Sequence, residues 1–248
     1  MNIKMKSVLI FGMLMAIGSL TINAQNSFNG PVIKYGNKYA VTEKDGMYTV
    51  YSENGDKVFD VSTDYKINLG HIDSGYIETY RQDGLKTTGI YSLSMNDWIV
   101  EPGKSGNIYH VAPDRFAVEI APNKYNYITD KGVILSTLDN IRNDYIQFES
   151  YGYFYDNLVK VISTTGKMGL LNSKTGKWII PCQFDQHITF GGGKGPNKKF
   201  AVQQTSDKGE LVTVYTVSGK KIASQFFPWG MRMRNAHIRT FGEKYLNH

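Results

Sequence analysis

The sequence predicts an all-β protein built from about five repeated β-meander units of about 40 residues each. Short runs of β-branched and aromatic residues alternate with clusters of Gly, Asn and Asp, which is the pattern of strands joined by tight turns. The same kind of turn recurs at residues 55, 96, 132, 176 and 219, at spacings of 41, 36, 44 and 43 residues. This nearly constant period indicates a repeat architecture.

A second marker keeps the same phase as the turns. An apolar strand precedes each turn, at residues 39–41, 76–78, 116–118, 158–161 and 200–202. A middle strand lies between the two markers, at residues 47–51, 89–93, 125–128, 168–171 and 211–215. Each unit is therefore predicted to be a meander of three or four strands. A single repeat domain is predicted over residues 36–227, after an N-terminal lead-in at residues 25–35.

Neighbouring units are expected to stack, because one small meander cannot bury both of its faces. Units of about 40 residues have the size of a propeller blade, so we predict a propeller-like arrangement, with an open β-solenoid as the alternative. Trp98 and Trp178 follow the turn at equivalent positions, where each ring is expected to fill the space between units; an exposed ligand platform is the alternative. Gly169 lies inside a predicted strand, and we interpret it as a device for close packing.

One stretch carries a family resemblance. The segments GKMGLLN at 166–172, TGKWIIP at 175–181 and FD at 184–185 together resemble one full WG repeat. Over the rest of residues 36–227 the resemblance is faint, and Met168 stands where the family usually has Trp. The resemblance implies a binding or scaffold array, suggests a Gram-negative host, and implies little about chemistry.

The first 24 residues have the pattern of a secretory signal peptide. Lys4 and Lys6 precede an apolar stretch from Val8 to Leu20, and Ala24 supplies a small residue at the expected cleavage site. That stretch is shorter than the roughly 20 residues that a membrane-spanning helix needs. We therefore predict cleavage after Ala24, a mature chain without a transmembrane span, and a periplasmic or secreted location.

Charge concentrates near the C-terminal end. The chain has 28 Lys and Arg against 22 Asp and Glu; without Lys4 and Lys6 the net charge is +4, and +3 of it lies in residues 228–248. We predict that this segment is a basic C-terminal tail, with Arg232 and Arg234 as candidate ligand-binding residues. Because an exported protein rarely meets nucleic acid, the tail points to anionic glycans, lipid headgroups or an acidic protein face, with a solvated tail as the alternative.

No motif predicts catalytic residues, a metal or a cofactor. The five histidines lack zinc-site spacing, and the glycine-rich stretch at 191–196 lacks the spacing of a phosphate loop. Cys182 is the only cysteine, so it cannot form an intramolecular disulfide, and we expect it to be a buried small hydrophobe.

Tyrosines are the second candidate ligand-binding group. Tyr151, Tyr153 and Tyr155 would share one face of an extended strand, where flat rings with polar tips suit a sugar or a protein partner. The alternative is a structural role, because tyrosine is favoured on any half-buried sheet face. The preferred function is therefore an exported, non-catalytic binding module for a glycan or protein of the envelope or the extracellular space. The alternatives are a structural or assembly protein of the envelope and, less favoured, a hydrolase, which would need acids, or Cys182 and His187, converging in a cleft.

Overall fold

The computed structural model describes residues 32–36, 38–84, 86–143, 148–150, 157–185, 188–190 and 198–246. β-strands dominate these residues, and every strand pairing among them is antiparallel. The prediction of an all-β protein is therefore confirmed. The chain divides into two compact units, residues 1–63 and 64–248, where the sequence predicted one repeat domain.

The first unit contains one meander. Its four strands pair in chain order as a single sheet, and they are β1 (Val32–Gly36), β2 (Tyr39–Lys44), β3 (Met47–Ser52) and β4 (Lys57–Ser62). The central pair carries apolar side chains on alternate positions, with Val41 opposite Val50, and both are buried.

The second unit contains four further meanders. The second meander has β5 (Tyr65–Asn68), β6 (Tyr76–Arg81), β7 (Thr87–Ser92) and β8 (Asp97–Val100), with a short 3-10 helix at Ile72–Ser74. The third has β9 (Ile108–Ala112), β10 (Arg115–Ala121), β11 (Lys124–Thr129) and β12 (Ile134–Leu138). A pairing of Thr87 with Ile108 joins these two meanders into one eight-stranded sheet.

The last two meanders form separate four-stranded sheets. The fourth has β13 (Phe148–Ser150), β14 (Leu158–Ile162), β15 (Met168–Asn172) and β16 (Trp178–Phe184). The fifth has β17 (Ile188–Phe190), β18 (Lys199–Thr205), β19 (Gly209–Thr216) and β20 (Lys221–Pro228). All five meanders thus have four strands, the upper of the two predicted numbers.

Consecutive meanders of the second unit share cores. Tyr76 of the second meander packs edge to face on Phe116 of the third, with ring centroids 5.2 Å apart. Tyr127 of the third packs in one cluster with Leu171 of the fourth. Met168 of the fourth packs in one cluster with Phe200 of the fifth. The expected stacking of neighbouring units is therefore present from the second meander to the fifth.

The recurring turns lie against the last strand of the preceding meander. A Cβ added at Gly176 would lie 2.8 Å from Leu135 Cβ, and one added at Gly219 would lie 3.1 Å from the Ile179 carbonyl oxygen. Gly132 approaches Ile99 in the same way, at 3.8 Å. The turn period in the sequence therefore reflects the period of the stack.

The segment predicted as a basic tail forms helix α1 (Arg234–Leu246). Phe241 and Leu246 pack with Phe227 of β20, on the face of the fifth sheet opposite to the one that meets the fourth meander. The difference from the prediction has a physical cause: the helix has apolar residues to bury, but its arginines and lysine dominate the composition of the segment. Among the described residues, no helix has the length and apolarity needed to cross a bilayer.

Candidate functional site

The sequence-predicted site residues fall in different places. Tyr151, Tyr153 and Tyr155 lie outside the described residues. Arg232 is exposed just before α1, and Arg234 begins that helix. The two arginines are therefore four and six residues from the end of β20 at Pro228, next to the fifth meander.

A cleft of about 400 Å³ opens on the second meander, and we call it the Arg81 cleft. Its walls come from one end of the β5–β6 pair, where β5 begins and β6 ends, and from the loop at residues 103–105. Its lining side chains are polar or aromatic: Asp64, Tyr65, Arg81, Gln82, Asp83 and Thr88.

Strand pairing places the walls of the Arg81 cleft. Tyr65 pairs directly with Arg81, so both side chains project from the same face of the sheet. A register irregularity between β6 and β7 leaves Thr88 as an extra residue, and its buried hydroxyl donates to the Thr79 carbonyl at 3.4 Å. Gly103 has φ +79°, and a Cβ there would lie 2.6 Å from Tyr65 Oη, so only glycine lets the tyrosine reach the loop.

The polar groups of the Arg81 cleft are oriented by hydrogen bonds. Gln82 Nε2 donates to the Tyr65 carbonyl at 3.4 Å, and Lys66 Nζ donates to the Gln82 carbonyl at 3.0 Å. Arg81 Nε lies 3.5 Å from Asp83 Oδ1, with both side chains mostly exposed. The cleft therefore offers donors and acceptors side by side, close to an aromatic ring.

A second polar cluster surrounds the buried carboxylate of Glu78 on β6. Its Oε2 accepts hydrogen bonds from the Tyr80 hydroxyl at 2.7 Å and from Asn68 Nδ2 at 3.3 Å, and His71 Nε2 lies 3.8 Å away. Burial raises the pKa of Tyr80, so its phenol remains a donor. His71 also meets the ring of His110 from the third meander edge to face, at 5.5 Å between centroids.

This Glu78 cluster is a feature that the sequence spacing did not reveal. The 3-10 helix brings His71 back onto β6, and stacking brings His110 from the next meander. Burial lowers the pKa of His110, whose ring packs 4.8 Å from that of Phe116. In the described ranges, however, no group of three or more ligating side chains is arranged to hold a metal. The hydrogen bonds of the cluster join residues of the second meander, and the ring contact between His71 and His110 links the cluster to the third meander.

A third feature lies where β20 meets α1, and we call it the α1 corner: Trp229, Arg232, Met233 and Arg234. Trp229 Nε1 donates to the Ser206 carbonyl at 2.9 Å, and the Arg234 guanidinium carbon lies 4.4 Å from the Trp229 ring centroid. Arg234 also donates to the Glu210 carboxylate. Arg234 is therefore held by internal contacts. Nearby on β20, Phe226 lies on Gly209, where an added Cβ would be 2.8 Å from the Phe226 ring.

The two repeat-marking tryptophans differ from the expectation. Trp178 is 40% exposed, and its ring lies on Gly169, where an added Cβ would be 2.7 Å from Cζ3. Trp98 is half-buried and packs edge to face on Tyr91, at 5.3 Å between centroids. Each ring therefore packs on a residue of its own sheet, Trp178 on Gly169 of β15 and Trp98 on Tyr91 of β7. The interpretation of Gly169 as a packing device is confirmed.

Cys182 is half-buried and packs against the core shared by the third and fourth meanders. Burial raises the pKa of its thiol to about 11, so the thiol is almost wholly protonated at neutral pH. His187, its conceivable catalytic partner, lies outside the described residues.

No family model and no curated protein matches the chain. Three solved structures illustrate its partial similarities. A eukaryotic initiation factor structure is 12% identical, with 76% of this chain and 52% of that chain covered and a TM-score of 0.36. BamB from Moraxella catarrhalis is 10% identical, with 80% and 76% covered and a TM-score of 0.26. The WD40 β-propeller domain of Doa1 is 12% identical, with 77% and 65% covered and a TM-score of 0.28. This chain thus spans about half of the initiation factor chain, and TM-scores this low do not establish a common fold.

Proposed function

We propose that the protein is an exported, non-catalytic binding module for a glycan of the envelope or the extracellular space, and that the Arg81 cleft is its ligand site. The observation that carries the proposal is the combination of volume and lining in that cleft. About 400 Å³ lies within the roughly 300–1,000 Å³ that is usual for small-molecule sites. The predicted signal at residues 1–24 supports an exported location.

The lining chemistry matches a sugar. Each sugar hydroxyl both donates and accepts hydrogen bonds, and the cleft supplies donors from Arg81 and Gln82 beside acceptors from Asp64 and Asp83. The ring of Tyr65 adds an apolar surface for the C–H face of a sugar ring. A folded protein partner would bury about 800 Å² on each side, for which a cleft of this size is a small part.

A binding role suits these carboxylates better than hydrolysis does. A glycosidase needs one carboxylic acid whose pKa is raised by an apolar environment. The Asp83 side chain is 76% exposed and lies beside Arg81, a setting without such burial. The raised thiol pKa of Cys182 likewise gives no support to a cysteine nucleophile.

The WG-repeat resemblance and the propeller-like arrangement, with the open solenoid as its alternative, belong to the same proposal. The WG-repeat resemblance is supported by the fourth meander, where the motif segment at 166–172 includes β15 and the segments at 175–181 and 184–185 cover most of β16 and the turn before it. Support for the second comes from the face-to-face stacking of the second to fifth meanders.

The test is a glycan screen of the folded protein by thermal shift, followed by calorimetry of each hit. A ligand at a hundredfold its Kd adds about 2.7 kcal/mol to the free energy of unfolding and raises Tm by roughly 2–4 °C. We expect Asp83→Asn to weaken glycan binding about tenfold or more, since one charge-assisted hydrogen bond contributes roughly 1.5–3 kcal/mol.

Asp139→Asn is the matched control, because it removes one carboxylate from another exposed ion pair, Lys124–Asp139 at 3.2 Å on the third meander. Binding that is lost equally in both variants, or the absence of any glycan ligand, would exclude the proposed site. Release of new reducing ends from a bound glycan would instead favour the hydrolase.

A further inference from the structure

We propose that the α1 corner binds an anionic phospholipid surface. The inference is independent of the glycan site, because the α1 corner belongs to the fifth meander and α1, whereas the Arg81 cleft belongs to the second meander.

Apolar side chains are exposed together at this corner. Trp229 is 43% exposed and Met233 is 69% exposed. Trp229 borders the Ser206–Gly209 turn, where its backbone N–H donates to the Lys208 carbonyl at 3.2 Å. Met233 has φ +55°, a conformation at the start of α1 that costs energy for a non-glycine residue. Packing within the chain therefore leaves part of these apolar side chains exposed to solvent.

The C-terminal segment at residues 228–248 has a net positive charge. Arg232, Arg239 and Lys244 are exposed on it, and its only acidic residue is Glu243. In the neighbouring Ser206–Gly209 turn, the charges of the exposed Asp207 and Lys208 offset each other. The charge of Arg234 is balanced by Glu210, so it adds little to this excess. Basic side chains beside exposed aromatic and apolar groups are the pattern of proteins that bind at an anionic lipid interface.

The internal contacts favour a lipid surface over an acidic protein. A protein carboxylate would be recognised by fixed, directional donors such as a guanidinium or an indole N–H. The donors that the fold holds in fixed positions here are used within the molecule: Arg234 by the Glu210 carboxylate, and Trp229 Nε1 by the Ser206 carbonyl. The exposed remainder is apolar surface and long basic chains, which suit a fluid interface whose charges have no fixed positions.

The test is vesicle flotation of the folded chain with phosphatidylcholine vesicles and with vesicles that also contain phosphatidylglycerol. We expect binding to the anionic vesicles at low salt, little binding to the neutral ones, and loss at high salt. The double variant Arg232→Gln/Met233→Asn should lower the partition coefficient at least fivefold, since one basic residue near the surface contributes about that factor. Asn also suits the positive φ at position 233.

The matched control is Met95→Asn/Lys131→Gln, which removes one exposed methionine and one exposed lysine elsewhere in the second unit. All variants keep the same N-terminus, so residues 8–20 cannot account for a difference between them. Equal partition of the two double variants would overturn the proposal. Binding to polyglutamate with no binding to anionic vesicles would also overturn it and would favour an acidic protein partner.

Discussion

Trp178 lies on the backbone of Gly169, so closely that a Cβ at position 169 would be 2.7 Å from the indole Cζ3 and 2.8 Å from the Cys182 nitrogen. The register between β15 and β16 shifts on both sides of Leu170, which lets β16 fold over the glycine. The ring and the glycine therefore act as one packing unit on the fourth sheet.

Gly169→Ala should lower the free energy of unfolding by about 1–3 kcal/mol, because the backbone of β16 must move to admit the methyl group. Urea denaturation monitored by circular dichroism would measure the change. Gly230→Ala is the control, since no atom lies within 4 Å of its added Cβ, and it should change stability by less than about 0.5 kcal/mol. Equal effects of the two substitutions would contradict the close contact.

The ion pair between Arg234 and Glu210 should couple α1 to the fifth sheet. Both side chains are largely buried, so Arg234→Gln or Glu210→Gln alone leaves a poorly solvated charge and should cost about 1–3 kcal/mol. The Arg234 variant also loses the contact with the Trp229 ring. The double variant should cost less than the sum of the two, with a coupling energy of about 0.5–3 kcal/mol.

Chemical denaturation of all four proteins in this cycle measures that coupling. A coupling energy near zero would mean that α1 is held by its apolar contacts, those of Ile238, Phe241, Tyr245 and Leu246. The control is Lys124→Gln with Asp139→Asn, an exposed pair expected to couple by less than about 1 kcal/mol.

His110 should make the protein less stable in mild acid. Burial lowers its pKa in the folded state, so below the ordinary pKa of about 6.5 the unfolded chain binds more protons than the folded chain does. The stability is therefore fully present above that pH and falls as the pH decreases toward the folded-state pKa. Glu78 raises the pKa of His110 and His71 lowers it, and both effects are smaller than burial.

The measurement is the free energy of unfolding between pH 7.5 and 5.5, a range of about one unit on either side of the ordinary histidine value. His110→Phe should flatten the loss, because a ring that packs on Phe116 is kept without the titrating nitrogens. His71→Gln should retain it. An unchanged pH dependence in the His110 variant would show that another group titrates.

The repeat architecture was predictable from the sequence because it depends on local signals. The turns at Gly132, Gly176 and Gly219 recur where each meander contacts the preceding one. Their spacing in the sequence therefore indicates the length of the repeat. Helix α1 was missed because Phe241 and Leu246 are widely spaced among polar residues, which gives the segment the composition of a solvated tail.

The candidate sites were hidden because they depend on pairing between distant residues. The Arg81 cleft needs Tyr65 opposite Arg81 and a loop that closes near Gly103, and no motif marks that combination. The Glu78 cluster needs His110 from another meander. Arg234 was singled out by its charge, whereas the structure shows that its partners are Glu210 and Trp229.

Thr79 should be a site where a more apolar side chain stabilises the protein. Its side chain is fully buried, and its Oγ1 has no hydrogen-bond partner among the described residues. A buried hydroxyl without a partner has lost its bonds to water and gained nothing in return, at a cost of about 1–3 kcal/mol. Thr79→Val keeps the shape and removes the polar atom, so the free energy of unfolding should rise by roughly 1 kcal/mol.

Thr213→Val provides the opposite case. Thr213 is buried to the same degree, but its hydroxyl is hydrogen-bonded to Ser224 Oγ at 3.0 Å. Its replacement leaves Ser224 without that partner and should lower the free energy of unfolding by about 1 kcal/mol. Urea denaturation of both variants compares the two directly. A loss of stability in Thr79→Val similar to that in Thr213→Val would mean that the Thr79 hydroxyl has a partner in solution, such as a bound water.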